Sequence, residues 1–364
     1  MDFAGTLLHW YENNKRTLAF RGTKDPYKIW LSEIILQQTR VEQGLPYYHK
    51  FTEAYPTITD LANAHEDAVM RLWQGLGYYS RARNLHQTAK IVAKDYKGKF
   101  PKTYAEIAHL KGIGPYTAGA IASIAFDEKA AAVDGNVFRF LARYFGIAMP
   151  VPSEKGRKEF SALVLELMGN AKPGTFNQAL IEFGALQCKP SPLCGTCAFN
   201  KTCYAFTKGK IAELPVKNKA AASKNRYFHY FIIKNKNEVI LQQRTAKDIW
   251  QTLYEFPLVE TAEPHLPTIN VGTGPNPSPK ERGNILGGQE ILDYLVKKKQ
   301  DLTPVGEPIK HILSHQNIYT SFYIVDIKGK LPNWSNGFTI NLEKLDDYAL
   351  PRVITLFLER NLLY

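Results

Sequence analysis

The chain has 364 residues, 45% hydrophobic and 22% charged, enough for two domains with sizeable cores, which excludes a mainly disordered chain. It contains no apolar run of 18 residues, and Met1–Gly5 lacks the basic and apolar regions of an export signal, so no membrane span and a cytoplasmic location are expected. The formal charge of +12 points to a polyanion and is unevenly spread: residues 1–225 hold 30 Lys and Arg against 19 Asp and Glu, residues 226–364 hold 16 against 15. A nucleic-acid contact is therefore expected mainly in the first part of the chain.

Apolar residues recur every three or four positions over 2–12, 28–41, 80–96, 115–126, 134–145, 156–168 and 174–187, which predicts an all-α region over residues 1–207. Within it, Glu33 lies in an otherwise apolar helical stretch between Leu31 and Ile34–Leu36. Burial there would raise its pKa and keep it protonated near neutral pH. In Leu110-Lys111-Gly112-Ile113-Gly114-Pro115-Tyr116, Gly112 and Gly114 permit a tight turn into a helix whose first amides could bind a DNA phosphate. Val133-Asp134-Gly135-Asn136-Val137 follows one helix later and puts Asp134 at the position of a helix cap.

All four cysteines fall in one window, Cys188, Cys194, Cys197 and Cys203, spaced C-x5-C-x2-C-x5-C. In a chain without an export signal disulfides are not expected, and four close thiols suit a tetrahedral zinc or a [4Fe–4S] cubane as a structural clasp. Residues 208–225, with five Lys and one acid, read as an extended, solvated linker. From 226 the texture becomes α+β. Strands are predicted over Tyr227–Ile233, Val239–Gln243 and Ile318–Ile327, with Lys234–Glu238 as a hairpin loop, and helices over 285–299 and 352–363. The Pro- and Gly-rich stretch 261–283 reads as a mobile loop.

The glycine hairpin followed by an aspartate, with the cysteine window after the helices, resembles the endonuclease III-like helix–hairpin–helix DNA glycosylases. Trp30–Val41 and Gly75–Leu85, the Leu-Pro-Val-Lys at 214–217 and the α+β second half are similar to the MutY-type adenine glycosylases within that superfamily. The fold this implies is multi-domain. An all-α helix–hairpin–helix glycosylase domain with an iron–sulfur loop (188–203) spans 1–207, a basic linker spans 208–225, and a Nudix-like recognition domain spans 226–364.

The resemblance also implies an activity: excision of adenine mispaired with 8-oxoguanine in double-stranded DNA, by a monomer carrying a [4Fe–4S] cluster on Cys188, Cys194, Cys197 and Cys203. Breaking an N-glycosidic bond needs an acid for the leaving base and a carboxylate near the sugar cation. By analogy with the family, Glu33 protonates adenine N7 and Asp134 stabilises the cation, with Asn136 holding Asp134 or the sugar. Tyr116 stands where the strand-cleaving branch has a Schiff-base lysine, so a monofunctional enzyme is expected. Among the DNA contacts implied, Gln38 and Tyr78 wedge on the 8-oxoguanine side, with Thr39 and Leu76 beside them. Arg16 and Arg21 lie near the adenine pocket, and Gly112 and Gly114 sit on the backbone. Ser314 and His315 resemble a Phe-Ser-His reading loop, with Leu313 in place of the aromatic; Phe20 stands in place of a tryptophan. No RExxEE box is present, so Nudix hydrolysis is not expected. The rival readings are an endonuclease III-like lyase for oxidised pyrimidines and a non-catalytic iron–sulfur DNA-binding protein.

Overall fold

In a computed structural model the described residues are 2–150, 153–216, 223–266, 285–297, 302–313, 315–333 and 336–361. The chain divides into two compact units, residues 1–64 with 83–219, and residues 65–82 with 220–364. No helix among the described residues is long and apolar enough to cross a membrane.

The helices of the first part run in chain order: α1 (Phe3–Asn14), α2 (Pro26–Leu36), α3 (Val41–Ala54), α4 (Ile58–Asn63), α5 (Glu66–Trp73), α6 (Ser80–Asp95), α7 (Tyr104–Ala108), α8 (Pro115–Phe126), α9 (Gly135–Phe145), α10 (Glu154–Met168), α11 (Pro173–Leu186) and the short α12 (Tyr204–Thr207). Their starts follow from side-chain caps. Asp2, Asp25, Asp134 and Ser153 each accept from first-turn amides, and Thr57 and Thr103 form capping boxes with Asp60 and Glu106.

One predicted helix is cut short. The periodicity over 28–41 is broken at Leu36, because Gln38 adopts φ +55° and the Thr39 amide turns back to the Leu36 carbonyl at 3.2 Å. A separate helix, α3, then begins at Val41. Helices α3, α4 and α5 are not predicted; α4 and α5 are short, and α3 carries Pro46 inside.

The core of the first unit lies between α1, α9, α10 and α11, where Leu7, Trp10, Phe140, Phe160 and Phe183 are buried. Trp10 meets Phe183 edge-on at 4.7 Å, and Phe140 lies 4.4 Å from the same ring. Buried Asn177 on α11 crosses to the loop before Asp134. It donates to the Ala130 carbonyl and the Ser123 hydroxyl and accepts from the Ala132 amide. Those three bonds fix the path of the chain into α9.

Among the described residues, the second unit is built on a mixed sheet of eight strands: β1 (Lys224–Asn235), β2 (Glu238–Gln243), β3 (Tyr254–Glu255), β4 (Leu258–Thr261), β5 (Ile285–Gly287), β6 (Ile309–Ile312), β7 (Gln316–Asp326) and β8 (Gly337–Asn341). β1 is central. It pairs in parallel with β7 along its length, from Lys224 opposite Gln316 to Lys234 opposite Asp326, and antiparallel with β4 and β2 on its other edge. Its middle is covered on both faces, which explains its unbroken apolar run. Phe231 and Ile233 pack with α13 (Gln289–Lys297). On the other face Phe322 stacks at 4.0 Å on Phe357 of α14 (Arg352–Asn361).

Two expectations are corrected. Residues 285–287 form strand β5 against β4, and the helix predicted over 285–299 starts at Gln289. The predicted linker is not wholly solvated: Leu214 is buried, and its carbonyl accepts from Arg143 Nε at 2.9 Å. Residues 217–222 of that linker and most of the predicted loop 261–283 lie outside the described residues.

Candidate active site

A cavity of about 450 Å³ opens in the first unit. Its lining brings together Glu33 from α2, Tyr116 from the start of α8, Asp134 and Asn136 from the start of α9, Arg16 and Arg21 from the segment after α1, and Gln38 and Thr39 from the break after α2. Leu18, Phe20, Ile29, Ile124 and Ile181 supply apolar wall. The volume suits one extruded base with its sugar.

Glu33 projects from an apolar helix whose neighbours Leu31, Ser32, Ile34 and Ile35 are buried. Burial pushes its carboxyl up to about 7, helped by the nearby Asp134 charge and opposed by a hydrogen bond from Tyr116 and by Arg21. A carboxyl at that value can both donate and accept a proton at neutral pH.

Asp134 is at once the cap of α9 and part of the cavity wall. Its Oδ1 accepts from the amides of Asn136 and Val137, both at 2.9 Å, and its Oδ2 accepts from Asn136 Nδ2 at 2.7 Å. Burial raises this carboxyl above the ordinary Asp value, against those three bonds, which favour the anion. Asn136 is itself held, since Arg139 Nη2 donates to its Oδ1 at 2.8 Å and to the Gly184 carbonyl at 2.7 Å. Gly184 is required there: a Cβ would lie 2.5 Å from the Asn136 carbonyl oxygen.

Another part of the wall is an Arg–Glu–Arg cluster. Fully buried Glu182 of α11 accepts from Arg16 Nε and Nη2 at 2.8 and 2.9 Å, and from Arg21 Nη1 at 3.0 Å and Nη2. Burial alone would raise Glu182, but the hydrogen bonds from both arginines overcome it and hold the carboxyl down at about 2. Glu182, Gly184 and Asn177 were not singled out in the sequence. The usable signal was Glu182, an acid alone in the apolar stretch 173–186, the same pattern that marked Glu33.

Gly112 takes φ +76°, and a Cβ on it would lie 2.7 Å from the Asn84 Cβ, so the hairpin requires glycine. Gly114 is the residue before α8, with no side-chain cap on the helix amides. Leu76 and Tyr78 lie on the segment that belongs to the second unit. Leu76 is buried, whereas Tyr78 is 37% exposed with φ +48°. In the second unit β6 and β7 form a hairpin, with Ile312 opposite Asn317 and His315 exposed at its tip. Ser314 lies outside the described residues.

Cys188, Cys194, Cys197 and Cys203 are free thiols and line one apolar cavity walled by Phe140, Phe183, Phe199 and Phe206. Burial raises Cys188, Cys194 and Cys197, the last to about 11, so anionic sulfur there needs positive charge. Donors to sulfur are in place: Phe199 N lies 3.4 Å from Cys197 Sγ and Arg143 Nη1 lies 3.7 Å from Cys188 Sγ. Among the described residues no three His, Cys, Asp or Glu side chains close on a single metal position. Four thiols on one apolar cavity, with Arg143 and the Phe199 amide as donors to sulfur, are a ligand set that suits a thiolate-bound metal group.

Residues 31–164 match the HhH-GPD superfamily of base excision DNA repair proteins, and residues 229–360 match the NUDIX domain family. Fold and site thus define a helix–hairpin–helix base-excision repair enzyme. An adenine DNA glycosylase of Buchnera aphidicola subsp. Baizongia pistaciae is 33% identical over 97% of this chain and 95% of its own length. The human adenine DNA glycosylase is 41% identical over 58% of this chain and 41% of its own. The chain belongs to the adenine DNA glycosylase family. Among solved structures, a thermostable thymine-DNA glycosylase is 31% identical with a TM-score of 0.52, covering 57% of this chain and 95% of that one. An endonuclease III–DNA covalent intermediate, 21% identical with a TM-score of 0.50 over 57% of this chain and 94% of that one, shares the fold.

Proposed function

We propose that the enzyme excises adenine lying opposite 8-oxoguanine, or guanine, from double-stranded DNA by hydrolysing the N-glycosidic bond, acting as a cytoplasmic monomer. Glu33 protonates the departing adenine at N7 and then takes a proton from the incoming water. Asp134, held by Asn136 and two backbone amides, faces the sugar and stabilises the oxocarbenium ion. Tyr116 keeps Glu33 oriented and, having no amine, forms no Schiff base, so the strand is left intact. The observation that carries this reading is Glu33, raised to about 7, in one cavity with Tyr116 and Asp134.

The remaining roles follow from the same reading. Gln38, Thr39, Leu76 and Tyr78 fill and flank the gap left by the extruded base, and Gly112 and Gly114 approach the phosphate backbone. Ser314 and His315 read the 8-oxoguanine. Arg16 and Arg21 shape the adenine pocket. Cys188, Cys194, Cys197 and Cys203 hold a [4Fe–4S] cluster. When bound, that group supplies iron–thiolate bonds that clasp the 188–203 loop; an absorption band near 400 nm with about four irons per chain would establish it, and a zinc-loaded colourless protein would refute it.

The deciding experiment compares duplexes carrying adenine opposite 8-oxoguanine, guanine or cytosine with duplexes carrying an oxidised pyrimidine. Free adenine should appear from the first two and not from Asp134→Asn. Release of the pyrimidine with strand nicking would replace this reading with the lyase one.

A further inference from the structure

We infer that Arg81 is a positioning residue that presets the Tyr78 loop before DNA arrives; this rests on the reading of Tyr78 as the side chain that enters the base stack. Between α5 and α6 the backbone takes positive φ three times in four residues, at Gly75 (+99°), Gly77 (+73°) and Tyr78 (+48°). A Cβ on Gly77 would meet nothing within 4 Å, so its backbone angle and not its space calls for glycine. Tyr78 has a side chain and adopts the rare conformation anyway, while exposing 37% of its surface. Strain of this kind persists only where the surroundings over-determine it.

Two buried residues brace this loop. Trp73, fully buried, donates its indole N–H to the Gly77 carbonyl at 3.1 Å. Arg81, buried on the first turn of α6, donates Nη2 to the same carbonyl at 3.2 Å and to the Leu76 carbonyl at 3.3 Å. Its amide takes the Tyr78 carbonyl at 2.9 Å. The guanidinium lies 5.0 Å from the Trp73 ring centre and 5.9 Å from that of Tyr78, so it serves both aromatic rings. Burial lowers Arg81 only to about 10, which keeps it a cation at neutral pH.

Three successive carbonyls of the loop are thus engaged, and the Tyr78 ring is offered outward from a fixed base. Inserting a preset ring avoids the ordering entropy that a slack loop would lose on the DNA. A single nitrogen, Nη2, serves both carbonyls while the guanidinium plane lies near two rings, and a lysine ammonium has no such plane to offer the rings.

The test is a double-mutant cycle on single-turnover adenine excision opposite 8-oxoguanine. Its second readout is the fluorescence of 2-aminopurine placed beside the lesion, which reports broken stacking. Arg81→Lys should slow excision about ten-fold or more and lose most of the fluorescence rise, as misplacement of a positioned group does. Combined with Tyr78→Ala it should add less than about two-fold, since the two residues act as one unit. Gly77→Ala, which strains the loop without touching its packing, should behave like Arg81→Lys and covers the case in which the arginine variant fails to fold. Full multiplication of the two effects, or a normal fluorescence rise in Arg81→Lys and Gly77→Ala, overturns the inference. A Tyr78→Ala enzyme with unchanged excision and fluorescence overturns the wedge reading itself, and the inference with it.

Discussion

The hydroxyl of Tyr116, on α8, donates a hydrogen bond to the carboxylate of Glu33, on α2. The two groups tune each other. Burial pushes the Tyr116 phenol well above its ordinary value, reinforced by the charges of Glu33 and Asp134, so it remains a donor at every pH the enzyme meets. Its hydrogen bond in turn favours the anion of Glu33 and partly offsets the burial that raises that carboxyl to about 7.

Adenine excision should therefore fall on the alkaline side with an apparent pKa near 7, by about ten-fold per pH unit, because only the acid form of Glu33 can protonate the base. Single-turnover rates between about pH 5.5 and 9 would reveal this limb, and a flat profile would remove Glu33 from the acid role. The same shift has a stability sign. The folded pKa lies above the ordinary 4.5, so Glu33's contribution is complete below that value and is lost as pH rises through 7. Glu33→Gln should consequently melt higher than the wild type at pH 8 and close to it at pH 5.

Tyr116→Phe deletes a donor and leaves the ring. The Glu33 carboxyl loses the bond that lowers it, so the alkaline limb should move to higher pH. The maximal rate should fall roughly five- to ten-fold, the net worth of one ordinary hydrogen bond. A pH profile that stays in place would show that the hydroxyl does not act through Glu33.

Glu182 predicts the reverse pH dependence. Its folded pKa, about 2, lies below the ordinary 4.5, so its stabilisation is present above that value and is lost as pH falls toward 2. Urea melts of Glu182→Gln should be flatter across that acid window than those of the wild type. At neutral pH, Glu182→Ala should cost about 1–3 kcal/mol, chiefly by leaving the Arg21 guanidinium short of its partner, since the Arg16 side chain is 37% exposed and can turn to water. An alanine variant as stable as the wild type would mean the cluster is water-screened.

Gly112→Ala forces a Cβ to 2.7 Å from that of Asn84 at a φ of +76°. The left-handed backbone alone costs an L residue about 1–2 kcal/mol, so the melting midpoint should drop and DNA affinity should weaken with it. Loss of affinity without loss of stability would show that the amide path, not the fold, needs this glycine.

Much of this site was legible because its residues break their own surroundings. Glu33 is an acid in an apolar helix, and Asp134 follows a glycine hairpin at the distance of one helix. The reading of Asp134 as a cap holds, and capping α9 is also what places its carboxylate in the cavity wall. Glu182 broke its surroundings just as plainly, but its meaning depends on Arg16 and Arg21, about 160 positions away, and spacing carries no such pairing. Gly184 was opaque for the same reason: its need arises from Asn136 on another helix. Helices α4 and α5 escaped because short elements get their stability from capping and burial more than from a long periodic stripe, and α3 because Pro46 stands inside it. Strand β5 has three residues and exists through its pairing with β4.

The pairing of β1 with β7 joins residues 92 positions apart along the chain, from Lys224 with Gln316 to Lys234 with Asp326. During synthesis, β1 therefore leaves the ribosome with one edge open and stays so until the last sixth of the protein has begun to emerge. Residues 65–82, which group with the same unit, wait even longer for their neighbours. The cavity lined by Glu33 and Asp134 draws on residues up to Ala185 and can close earlier. Nascent chains halted just before residue 316 should carry a finished pocket beside an apolar strand in need of protection, and this is the stage at which the protein is most exposed to aggregation.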